Sequence, residues 1–211
     1  MSEEIISEIE EDLQKERFKK YWKNYGKYIS LLIVFIIFSV GGWQIYEFIE
    51  KRRNIEASNI FLNILDVSKE DTEKAIEEID KIKNLPNGYE LLIKFQKANL
   101  FIKNNQITDA VLLFNQIHQD KSIDKNYRDI AVLLSIMHQY KQQNSIVKLD
   151  NIISTNEHFA MLAKELKAYI LYDDGKIKGA QKILEEILNS PNISQRSNER
   201  ISNILKTFEK N

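Results

Sequence analysis

Cysteine is absent from all 211 residues. That removes disulfides, thiolate chemistry and cysteine-held metals or clusters. Proline and glycine are scarce, at 2 and 6 residues. Chain breakers this rare favour long helices over a turn-rich fold. No charge surplus exists either, since 30 basic residues meet 31 acidic ones. A general nucleic-acid binder carries a basic excess, so nucleic-acid partners are not expected. His118, His138 and His158 show no H-x-x-x-H spacing. Without cysteine they complete no structural zinc site, and each reads as a surface or half-buried side chain. No phosphate-binding glycine loop, dinucleotide fingerprint or nucleophile elbow occurs. The DDGK stretch, Asp173–Lys176, lacks the ligand series of a calcium loop. It reads instead as an inter-helix turn with Gly175 in the left-handed cap conformation. The expectation is a chain that is not an enzyme and that takes no metal, cofactor or small-molecule substrate.

Charge is also missing locally. Within KYISLLIVFIIFSVGGWQIYEF, residues Tyr28–Tyr46 are 19 positions without a charged side chain. At ~1.5 Å per residue they cover about 28 Å, close to the ~30 Å hydrocarbon core of a bilayer. Every face of residues 29–38 is apolar, whereas a core helix of a globular domain keeps a polar stripe. A cleaved signal peptide fits poorly: 27 residues with many acids precede the run, and no small-x-small cleavage site follows. The segment reads as a retained signal anchor. Trp22, Tyr25 and Tyr28 then sit at one membrane interface and Trp43 and Tyr46 at the other. Positions 13–27 hold six Lys or Arg residues and positions 47–61 hold three, which places the N-terminus in the cytoplasm. The organisation read from this is a cytoplasmic tail over 1–27, a transmembrane signal anchor over 28–49 and an extracytoplasmic domain over 50–211. In the tail, Ile5, Ile6, Ile9 and Leu13 recur at helical spacing. Acids precede bases there, as the helix dipole favours. This is either a solvated helix or a docking or degradation signal.

The domain repeats. Ala98-x-x-Phe101 followed by Ala110-x-x-x-Phe114-x-x-Ile117 matches Ala168-x-x-Leu171 followed by Ala180-x-x-x-Leu184-x-x-Ile187, 70 residues on. Halving that spacing finds Leu133, Ile136, Ser145, Leu149 and Ile152 in the same phases, and one step back finds Ala75, Ile79 and Ile82. Pro86 and Pro191 lie 105 residues apart, three times 35, and are expected to end the second helix of their repeats. Small residues let two helices approach and large ones fill the space to the next pair, so the pairs stack into a solenoid. A period of about 34 with this pattern is tetratricopeptide-like. The fold class expected is all-α, a transmembrane helix followed by a right-handed helical-hairpin solenoid. Turns are expected near Glu70, Asn105, Tyr140 and Gly175. In such arrays the first helix of each pair lines a concave face. The groove candidates are Phe95, Asn99 and Ile102, then Ile130, Leu134 and Met137, then Tyr169 and Tyr172. The alternative for these residues is packing against a neighbouring helix or the C-terminal helix around Ile201–Phe208.

Several stretches carry a family resemblance. They are the charged tail, Lys20-Tyr21-Trp22-Lys23-Asn24-Tyr25-Gly26-Lys27, the span with its Gly42-Trp43 exit, Tyr89…Ala98…Ala110, and Asp174-Gly175-Lys176…Ala180. Together these resemble the YfgM-like family, ancillary subunits of the bacterial SecYEG translocon. The resemblance implies a single inner-membrane anchor and a periplasmic tetratricopeptide-like domain. It also implies a chaperone-like helper role, with Sec translocon subunits, secreted client proteins or periplasmic chaperones as partners. It brings no catalytic residues. The alternative is an envelope scaffold for cell-division or wall-synthesis partners. The charge count makes the topology testable: a reporter active only outside the cytoplasm, fused after Asn211, should be active. Activity of a cytoplasm-only reporter at the same site reverses the orientation.

Overall fold

The computed structural model describes residues 2–141, 144–191 and 193–209. The side chains of Ile5, Ile6, Ile9 and Leu13, on which the tail stripe depends, lie outside the described ones. Every element among the described residues is helical: α1 (Ser2–Glu70), α2 (Thr72–Lys81), α3 (Asn87–Lys103), α4 (Ile107–Gln119), α5 (Lys125–His138), α6 (Ser145–Thr155), α7 (Glu157–Asp173), α8 (Ile177–Leu188) and α9 (Gln195–Glu209). Two compact units divide the chain, Met1–Ser58 and Asn59–Asn211.

In the first unit, α1 supplies the one described helix long and apolar enough to cross a membrane, and none of its most apolar window is buried. The polar atoms inside it are managed locally. Ser39 donates its hydroxyl to the Phe35 carbonyl at 2.8 Å, so it brings no unsatisfied donor into an apolar surrounding. Trp22, Tyr25, Tyr28, Trp43 and Tyr46 are all exposed. Tyr25 and Tyr46 lie roughly 32 Å apart along an ideal helix. Gly26 has a local reason: a Cβ there would come within 3.2 Å of the Trp22 indole one turn earlier. The glycine lets that ring lie against the backbone.

The second unit stacks four helix pairs and a closing helix. The end of α1 pairs with α2, α3 with α4, α5 with α6, and α7 with α8. The anticipated small positions are the tightest. Ala75, Ala110, Ser145 and Ala180 are all buried, as are Phe114, Leu149 and Leu184 one turn on. Four apolar clusters follow, three built from one pair and the first helix of the next and the fourth from the α7–α8 pair and α9. Ile64, Ala75 and Ile79 meet Ile93 and Leu100 of α3. Ala98, Ala110, Phe114 and Ile117 meet Ala131 of α5. Val132, Leu133, Ile136, Leu149 and Ile152 meet Ala163 and Ile170 of α7. Ala168, Ala180, Leu184 and Ile187 meet Ile201 and Phe208 of α9.

Turns fall where the period puts them. Asn105 and Gly175, two periods apart, have φ of 60° and 74°. Both close the same cap. The N–H groups of Asn105 and Gly175 donate to Ile102 and Tyr172, and those of Gln106 and Lys176 to Phe101 and Leu171, at 2.8–3.0 Å. The ion pair Lys97–Asp80 recurs two periods later as Lys167–Asp150 at 2.6 Å. Pro191 follows the end of α8 at Leu188, but Pro86 differs from expectation. The α2 helix has already ended at Lys81, and Pro86 is instead the N-cap of α3, its carbonyl accepting from Tyr89 and Glu90. Proline suits a helix start because no N–H is needed there.

Buried polar side chains tie successive pairs. Asn156, between α6 and α7, donates to Asp129 of α5 at 2.8 Å and to Asn126 at 3.0 Å, and Lys125 reaches the same Asp129 carboxylate at 2.6 Å. Thr72 and Asn104 are hydrogen-bonded from α2 to the α3–α4 turn. Since Ala110 has no exposed surface, Ala110→Leu should overpack its helix pair and cost about 1–3 kcal/mol, read by urea unfolding. An unchanged midpoint overturns the register.

Candidate protein-docking surface

The first helices α3, α5 and α7 each present an outward stripe. On α7 it carries Leu162, Tyr169 and Asp173, all exposed. The matching residues on α3 are Leu92, Asn99 and Lys103, also exposed. On α5 they are Tyr127, Leu134 and His138, of which Leu134 is half-buried. Leu92, Tyr127 and Leu162 stand 35 residues apart and keep 47%, 49% and 36% of their surface exposed. An apolar residue held outward at one phase in three consecutive repeats makes a ladder along the array. Sequence reasoning missed it. The signal was present as apolar residues recurring at 35 in a phase with no small partner. The anticipated stripe was rotated from this one by roughly 50° at 3.6 residues per turn.

That rotation decides where the groove candidates fall. Phe95 turns inward, its ring 6.1 Å from Phe114. Ile102 and Leu134 are partly buried against the same cluster, and Ile130 is half-buried. Asn99 is exposed. Met137, Tyr169 and Tyr172 do come together. With Tyr140, Leu166 and Asp173 among its walls, they line an open cavity of about 310 Å³ between α5 and α7. Phe95, Asn99 and Ile102 are not part of it.

The cavity is built from its surroundings. Tyr172 stacks on Phe208 of α9 at 3.8 Å and 12°, and Tyr169 meets the same ring edge-on at 5.7 Å. The C-terminal helix thus holds Tyr172 in place while Tyr169 and Met137 remain exposed. At the rim, the Tyr140 hydroxyl donates to Asp173 at 3.0 Å, and Lys141 lies 3.4 Å from the same oxygen. Apolar walls with one anchored carboxylate suit an apolar or aromatic side chain delivered by another protein, and such anchors supply most interface energy. Of the histidines, His118 is half-buried and His138 and His158 are exposed.

One turn before Tyr169, Glu165 is buried on α7. One oxygen accepts from Arg200 of α9 at 2.8 Å, while the other has no hydrogen-bond partner. Burial pushes the Glu165 carboxyl above its ordinary range, with Arg200 opposing the rise. Burial, and then the Glu165 charge, raises Tyr169 one turn on.

The sequence model of the tetratricopeptide repeat-like domain family matches residues 19–205 of the 211. The chain belongs to that family. The matched stretch takes in the apolar segment as well as the repeats. No curated protein and no solved structure matches the chain. Tetratricopeptide-like domains are protein-interaction modules, and an exposed apolar ladder beside an aromatic cavity is a surface of that kind.

The Glu165 shift has a sign that can be checked. A carboxyl raised on folding favours the fold most while protonated, below the ordinary glutamate range of about 4.3. That contribution is lost as pH rises through the folded value. Glu165→Gln, which keeps an acceptor for Arg200, should therefore match or exceed the parent melting temperature at pH 7.5. Any advantage should shrink toward pH 4. A clear loss of stability at pH 7.5 means the Arg200 pair outweighs burial.

Proposed function

We propose that the chain is a single-pass protein of the bacterial inner membrane whose periplasmic domain binds other proteins near the Sec translocon. It is anchored by residues 28–49 with the N-terminus cytoplasmic. The observation that carries the reading is the pairing, in one chain, of a helix whose most apolar window is unburied with a tetratricopeptide-like domain that holds an aromatic cavity open. The family match begins nine residues before Tyr28, which supports anchor and repeats as one inherited unit. The six-to-three basic count supports the orientation.

In this reading the domain receives apolar or aromatic segments of secreted client proteins as they emerge, or docks periplasmic chaperones that do so. The Leu92–Tyr127–Leu162 ladder gives length and the Met137–Tyr169 cavity gives an anchor point. Its task is binding, with no catalytic step and no cofactor. The resemblance of the entry motif, span exit and repeats to YfgM-like translocon subunits supports the Sec assignment.

Photo-crosslinking in cells tests it, with the reactive residue placed at Leu162. Translocon subunits, secreted clients or periplasmic chaperones should be captured. Capture of division or wall-synthesis proteins in their place would make the domain an envelope scaffold. Met137→Ala should lower that capture several-fold with the melting temperature little changed, since its side chain is exposed, whereas Tyr169→Ala should lower capture and also some of the melting temperature, since it gives up the edge-on contact with Phe208. Tyr172 is left intact because it stacks on Phe208. Unchanged capture removes the cavity from the binding surface.

A further inference from the structure

We propose that α1 pairs with α1 of a second copy of this chain, in parallel and in register, along a heptad seam that continues beyond the apolar span. The inference rests on the membrane-anchor reading and deepens it by naming a partner for the anchor helix.

Beyond Tyr46 the helix turns polar, with Glu47, Glu50, Lys51, Arg52, Arg53 and Glu56 within ten residues. Of the large apolar residues that stay exposed there, Phe48, Ile55 and Leu62 stand at intervals of seven, with Ile49 beside Phe48. Phe48, Ile55 and Leu62 keep 57%, 53% and 54% of their surface exposed. Assigning these three to position d of a heptad places Ile45, Arg52 and Asn59 at position a. Ile60, Phe61 and Ile64 then fall at b, c and f, away from the seam. Those three, with Val67 at the next b position, are the α1 residues that pack into the first core cluster of the repeat domain. One side of the helix is therefore committed to the fold. The opposite side carries apolar residues in a charged stretch, at the spacing that two supercoiling helices share.

Charge complementarity selects the occupant. In this register Lys51 is at g and Glu56 at the following e. Those positions lie opposite each other across a parallel, in-register dimer, so each interface edge gains a Lys51–Glu56 pair. A common membrane orientation imposes the same parallel arrangement, and confinement to one membrane raises the effective concentration of the two helices. Asn59, one of two polar residues at a, fits the role of a buried polar residue that fixes register and favours two strands. Arg52 is the weak layer. Its guanidinium sits 4.6 Å over the Phe48 ring of its own chain, and two arginines at facing a positions repel.

The absence of native cysteine makes the test direct. Single substitutions Ile55→Cys, Leu62→Cys, Arg53→Cys and Asn54→Cys are made in the full-length chain and oxidised mildly in native membranes. Disulfide-linked dimers should form at positions 55 and 62 and be largely absent at 53 and 54. Phe48→Lys with Ile55→Lys should abolish the dimer formed through Leu62→Cys. Equal crosslinking at all four positions, none at 55 and 62, or a dimer that survives the lysine pair overturns the seam. An alkaline wash of the same membranes reports the anchor separately. A chain released by the wash overturns the anchor reading on which the seam rests. A chain retained without the heptad pattern overturns the seam alone.

Discussion

No helix pair in this domain can bury its own apolar flank, and the rest of the structure depends on that constraint. Each of the four clusters is left open by the pair that supplies most of it and is closed by the first helix of the next pair or, in the fourth, by α9. The α9 helix exists for the same reason. Its Ile201 and Phe208 cover Ala168, Ala180, Leu184 and Ile187. Its outer face, with Arg196, Asn198, Glu199 and Asn203 exposed, is polar, the character of a capping element in a stacked array.

The polar groups follow the same logic. Asn156 with Asp129, Thr72 with Asn104, Tyr140 with Asp173 and Glu165 with Arg200 each bridge elements brought together by stacking. Apolar contact alone would tolerate some sliding of one pair over the next. A buried amide or carboxylate that finds its partner at one offset does not, because a slipped register leaves it unpaired. In Glu165 the arrangement stays incomplete, with one oxygen unmatched. That residue touches the helix that positions the cavity.

Much of the fold was legible because its cause is periodic. Ala75, Ala110, Ser145 and Ala180 mark where two backbones come closest, and only small side chains fit there, so the period shows through otherwise divergent repeats. Gly175 announced its turn, whereas Asn105 fills the same left-handed position without glycine. The binding surface was harder to read. Every first helix packs on its own partner and on both neighbouring pairs, so nearly all its faces carry apolar residues and the exposed one does not stand out. Phe95 and Leu92 look alike in sequence, yet one turns toward Phe114 and the other toward solvent. Tyr172 depends on Phe208, 36 residues away, a contact that no local pattern announces. The apolar span was plain from its missing charges, but within it every face is apolar, so no one side stands out.

The clusters are short in sequence, running from Ile60 to Leu100, Leu91 to Leu134, Val132 to Ile170 and Ala168 to Phe208. Chains whose contacts are this local fold quickly and need few distant encounters. Synthesis runs from the N-terminus, and domains fold as their segments appear. Each cluster can therefore close once about forty further residues have been made, leaving a single unfinished edge at any moment. The cluster of α7, α8 and α9 closes only once Phe208 has been made, and the cavity whose Tyr172 rests on that ring is completed with it.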